Sequence, residues 1–166
     1  VAATQALPYM DSGQYNELSG SIAQAPGIAL ANAIRILSRE KWDGTEALIR
    51  TGLTSGDTLV SAQAVIGLAE LNGTDAQEEV IQFLQSSHSS YVNKAGATAL
   101  GMSTDKTNVN KVAAILPQVS EEIQLALVPL IADRGSEGDF DQILQLANQS
   151  TGDLQRAAIS ALPKLG

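Results

Sequence analysis

The chain has 166 residues, 44% hydrophobic and 17% charged, with a formal net charge of −8; this composition suits one globular domain and excludes a disordered chain. Its acidity argues against generic binding to nucleic acid or to an anionic membrane, because phosphate contacts require clustered Lys and Arg. With no Cys and only 4% aromatic residues, there is no disulfide framework or thiolate chemistry, and the core has to come from Leu, Ile, Val and Ala, which suit closely packed helices.

Taken in chain order, the N-terminus Val1-Ala2-Ala3-Thr4-Gln5 carries neither an initiator Met nor a basic-then-apolar leader and reads as processed or excised. Ala3, Leu7 and Pro8 lie 155 residues before Ala158, Leu162 and Pro163, so AATQALP echoes AAISALP. Residues 1–10 are therefore expected to be the tail of a preceding repeat, in a chain cut from a longer protein.

From there two apolar series alternate. One runs Leu18, Ile49, Val80, Val112 and Ile143, each followed four residues later by Ile22, Leu53, Leu84, Leu116 and Ala147. The other is anchored at Ala29, Val60, Val92, Ile123 and Leu154, spaced by 31, 32, 31 and 31 residues. Four after these anchors come Ala33, Ala64, Gly96, Leu127 and Ala158; five after, Ile34, Val65, Ala97, Val128 and Ile159; eight after, Leu37, Leu68, Leu100, Ile131 and Leu162. Offsets 0, 4, 5 and 8 fall within about 140° of a 3.6-residue helix, so each segment is an amphipathic helix with one buried face.

Breakers separate the two series: Gly56-Asp57, the Ser-rich stretch at 86–90, Ser120-Glu121-Glu122 and Thr151-Gly152-Asp153 end one helix and cap the next. Asp43-Gly44, Asn72-Gly73-Thr74, residues 103–108 and Gly135-Ser136-Glu137-Gly138 separate successive units. The expectation is a single all-α domain over 1–166, an α-solenoid of about five antiparallel helix-pair repeats at 14–41, 45–72, 75–103, 108–134 and 139–166. Stacked pairs share one continuous core, because a lone pair cannot cover its own apolar face. Leu127 departs from the small residues at its register, and Pro129 follows in the same helix, which predicts wider packing or a kink in the fourth repeat.

Asp57-Thr58-Leu59-Val60 with Ala64 and Leu68, and Val92 with Ala97, Ala99, Leu100 and Gly101, resemble the short HEAT-like repeats of the phycobilisome-lyase type, whose second helix runs Asp-x-x-Val-Arg-x-x-Ala-x-x-Ala-Leu-Gly. The resemblance covers nearly the whole chain. It departs at the Arg after the anchor, which is replaced here by Leu30, Ser61, Asn93, Gln124 and Gln155, so the Asp-to-Arg ladder that the resemblance implies is not expected. Tetratricopeptide repeats fit worse, since their 34-residue period and recurrent aromatic positions are missing.

No catalytic residue, cofactor site or metal site is expected. His88 is the sole imidazole, without Cys to support ligation or a paired acid to make a triad, and it reads as a solvated turn residue. Glu78-Glu79, Glu121-Glu122, Asp139 and Asp141 sit at helix starts, where they complement the helix dipole. The glycine turns lack the strand before and the Lys-Ser/Thr after that a phosphate loop needs. Trp42 reads as a cover on an inter-repeat seam. The longest apolar run, Leu125 to Ala132, has eight residues, far below the roughly 20 of a membrane helix.

The outward face of the second-series helices, at offsets 2, 6 and 10, carries Arg35, Arg39, Ile66, Lys94, Met102, Leu125 and Arg156. Five of the chain's ten basic residues lie on this ridge, counting Lys164, which suggests a groove for an acidic-amphipathic protein segment; the resemblance implies that this face is concave. The expected function is a noncatalytic protein-interaction scaffold within a larger protein. The alternative is an accessory domain or subunit of an enzyme, lyase-like or an exported hydrolase, with its chemistry elsewhere. Modest charge and many Ser, Thr, Asn and Gln lean towards an exported protein, with the cytoplasm left open.

Overall fold

The computed structural model describes residues 10–86 and 88–166. The expectation for residues 1–10 therefore lies almost wholly outside it, as does the side chain of Leu18. The described chain is all-α: α1 (Ser12–Ala23), α2 (Gly27–Arg39), α3 (Thr45–Leu53), α4 (Thr58–Asn72), α5 (Gln77–Leu84), α6 (Ser90–Ser103), α7 (Val109–Ile115), α8 (Glu121–Arg134), α9 (Phe140–Gln149) and α10 (Gly152–Leu165). Every anchor of the two apolar series falls inside one of these helices.

Local chemistry sets the helix ends. Asp11 accepts from the Gln14 amide at 3.0 Å while the Gln14 side chain accepts from Asp11 N at 2.9 Å, a reciprocal box that uses two otherwise unpaired donors. Asp57 caps α4 through Leu59 N at 2.8 Å and Val60 N at 3.2 Å. At the far end of α4, Gly73 adopts φ 55°, a left-handed conformation that costs glycine little. Pro117 lies in the 3-10 turn Leu116–Gln118 that ends α7. In contrast, α8 runs unbroken through Pro129, whose exposed position leaves the freed carbonyl one turn earlier on the solvent side of the helix.

Each odd-numbered helix packs on the even-numbered helix that follows it, and the even helices contact one another in order, α2 with α4, α4 with α6, α6 with α8 and α8 with α10. The core runs along this row. Ile34, Val65, Leu68, Leu100, Val128 and Ile131 are buried from the even helices, Ile49, Val80, Leu84, Val112 and Ile143 from the odd ones, and Leu116 from the 3-10 turn after α7.

Small residues bring the backbones together where they occur. A methyl at Gly67 would lie 2.5 Å from Ser38 Oγ and 3.1 Å from Ile34 Cγ2, and one at Gly96 would lie 2.5 Å from Leu84 Cδ2. Leu127 stands at the register of Ala64 and Gly96, whose close neighbours Gly52 and Leu84 belong to the preceding odd helices. With a fully buried Leu at that position, the contact of α8 with the short α7 is thinner than those of α3–α4, α5–α6 and α9–α10.

Polar side chains tie neighbouring helix pairs at about one period. Gln77 Nε2 donates to Thr104 Oγ1 and to the Asn108 carbonyl, both at 3.1 Å. Arg134 donates to the Gly101 carbonyl at 2.6 Å and also to that of Thr104. Lys111 pairs with Glu78 at 3.9 Å, and Arg50 pairs with Glu46 and Glu79. These acids hold the Arg50 guanidinium, whose pKa is raised first by the Glu46 hydrogen bond and then by the Glu79 charge.

Candidate interaction surface

The even helices have an outward face, and the structure sorts its predicted members into distinct environments. Arg39 is exposed and pairs through Nε with Glu70 at 3.1 Å. Lys94 reaches Glu122 at 3.8 Å, and Arg156 is held by Asp153 one turn earlier on α10. Arg35 is half-buried and, among the described residues, has no hydrogen bond or ion pair. Ile66 is half-buried, whereas Met102 and Leu125 are 43% and 38% exposed.

Two features depart from the expected ridge. Ala31 and Ala62, at offset 2, are buried, because α2, α4 and α6 approach closely enough to enclose that position. The basic enrichment is also partly neutralised within the chain: three of the five cations are paired, Glu122 and Asp153, at offset −1, supplying acids that offsets 2, 6 and 10 do not include. Lys164 is exposed and, among the described residues, has no ion pair. Charge screening by local partners leaves less field for an incoming acidic run than a count of cations suggests.

Offset −1 contributes apolar surface as well. Ile28 is 62% exposed and Tyr91 54% exposed. Tyr91 and Met102 are eleven residues apart on α6 and therefore share a face. Of the six exposed large hydrophobic residues among those described, Ile28, Tyr91, Met102 and Leu125 lie on this surface. The sequence signal for Ile28 and Tyr91 was present in the helical phase, one residue before each anchor.

In the last three units the residue after the anchor, where the resembled family carries Arg, bonds inside its own helix pair. Gln124 Nε2 donates to the Leu116 carbonyl at 2.6 Å and Gln155 Nε2 to the Ala147 carbonyl at 3.1 Å. Asn93, one methylene shorter, reaches only the His88 carbonyl, at 3.4 Å. His88 is half-buried rather than solvated: its ring stacks on Phe83 with centroids 4.1 Å apart, and Nε2 lies 2.8 Å from the Phe83 carbonyl. It lines a cleft of about 260 Å³ with Gln85, Asn93, Gln118 and Ser120, none of them a charged group.

Elsewhere, Asp139 is buried and accepts from the Ser136 backbone N–H at 2.9 Å, closing the 3-10 turn before α9. Trp42 is buried between α2 and α3, its ring against Gly44. Among the described residues no three His, Asp or Glu are gathered so as to hold a metal, and no helix is long and apolar enough to cross a membrane.

The chain matches no family model, no curated protein and no solved structure.

Proposed function

We propose that the helix pairs form an α-solenoid of about five HEAT-like repeats of roughly 31 residues, and that this solenoid is a noncatalytic scaffold binding a protein segment along the outward face of α2, α4, α6, α8 and α10. The observation that carries the reading is the phasing of Ile28, Tyr91, Met102 and Leu125 onto that one face. Exposed apolar side chains gathered on one surface favour a binding role over mere solubility. A row of even helices gives that surface a rigid base, so a bound segment would not have to order the scaffold.

The test compares two variants of the intact chain. With a partner captured by crosslinking, Tyr91→Glu combined with Met102→Glu should abolish the complex, while Leu144→Glu, on the exposed side of α9, should leave it intact. Both variants should keep their helicity, since the altered residues are exposed. An undiminished complex in the Tyr91/Met102 variant overturns the reading.

A further inference from the structure

The cations of the outward face are not equivalent. Arg39, Lys94 and Arg156 have carboxylates of their own chain, Glu70, Glu122 and Asp153. Arg35, in the middle of α2, has none among the described residues and is half-buried, so it has lost part of its hydration without an ionic partner. A guanidinium in that state gains more from an incoming carboxylate than one already paired, because the desolvation has already occurred and no resident acid must be displaced.

Toward the start of α2 the face around Arg35 is apolar, and one turn further on it carries the Arg39–Glu70 pair. Ile28 lies seven residues earlier on the same face of α2 and is the most exposed large hydrophobic residue described. On α4, which packs against α2, Ile66 occupies the register position of Arg35 and Leu59 that of Ile28, and both are half-buried.

We infer that Arg35, with Ile28, Leu59 and Ile66, forms an anchor subsite for a peptide segment presenting one carboxylate beside apolar side chains, rather than for a polyacidic run. The inference rests on the docking-face reading above and adds the chemistry of its partner. A polyacidic segment would find Arg39, Lys94 and Arg156 further along the face already paired with Glu70, Glu122 and Asp153, so its additional carboxylates would gain little there.

A displayed library of amphipathic peptides with randomised charged positions, panned on the intact chain, tests this. Wild-type protein should enrich segments with a single Asp or Glu next to an apolar pair. Arg35→Gln should reduce their affinity about tenfold or more, Arg35→Lys should restore part of it, and Arg39→Gln or Lys94→Gln should change it less than twofold. Thermal melts of all four variants exclude loss of fold as the cause. Enrichment of polyacidic or acid-free segments, or acid preference that survives Arg35→Gln, overturns the Arg35 subsite while leaving the docking face standing. Failure to enrich any segment overturns both readings.

Discussion

Gln124 hands its side-chain amide to the carbonyl of Leu116, eight residues earlier, at 2.6 Å. Gln155 repeats the bond to Ala147 at 3.1 Å. In each case a residue in the first turn of an even helix reaches back across the turn to the end of the preceding odd helix, using a carbonyl that the helix itself leaves without a partner.

These bonds should be measurable. Gln124→Ala is expected to cost about 0.5–1.5 kcal/mol in urea unfolding. Asn93→Gln should do the opposite or be neutral, since the longer side chain can reach the end of α5 as its counterparts reach α7 and α9. An Asn93→Gln variant destabilised by more than Gln124→Ala would show that the third turn has a geometry of its own.

The spacing of the even helices makes two glycines diverge. At Gly67 an added methyl meets Ser38 Oγ at 2.5 Å, so Gly67→Ala should destabilise by about 1–3 kcal/mol despite its better helix propensity. At Gly101, also inside a helix, nothing lies within 4 Å of the added methyl, and Gly101→Ala should stabilise by about 0.5–1 kcal/mol. Chemical denaturation of the two variants side by side reads the contrast.

Arg134 joins α8 to the end of α6 through the carbonyls of Gly101 and Thr104. Replacing it with Met keeps the aliphatic stem and removes both charge-assisted bonds, with an expected loss of about 1.5–3 kcal/mol. Amide hydrogen exchange should show the effect first at residues 101–108; uniform acceleration across the chain would assign Arg134 no local role.

Asp105 lies in the same turn. Its pKa is held below the usual 3.8, first by the hydrogen bond from the Thr107 hydroxyl, then by the Thr107 N–H, with smaller help from the Asn108 backbone and the Arg134 charge. A lowered folded-state value means that the contribution is present above the unfolded-state pKa and fades as pH falls through the folded one. Thr107→Val should move the Asp105 titration upward in an NMR pH series, and the wild-type chain should lose its stability advantage over this variant in acid.

The sequence alone determined which segments are helical and which face of each is apolar. That information is local: a 3.6-residue period, an N-cap such as Asp57 and a breaker such as Gly73 act within a few residues of one another. It also marked α8 as the helix where Leu127 and Pro129 break the pattern of the other even helices, yet α8 runs unbroken through Pro129. Tertiary structure decided what happens between helices. Ala31 and Ala62 have the phase of surface residues, yet the close approach of α2, α4 and α6 buries them. Ile159 has the phase of a core residue, yet it is 53% exposed, because no described helix packs on that flank of α10. The cations followed the same logic: their positions were legible, but whether Arg39 or Arg35 keeps its charge available depended on Glu70, an acid 31 residues from Arg39. Burial and ion pairing are pairwise quantities set by distances across helices, and helical phase specifies direction from one axis without specifying what stands opposite.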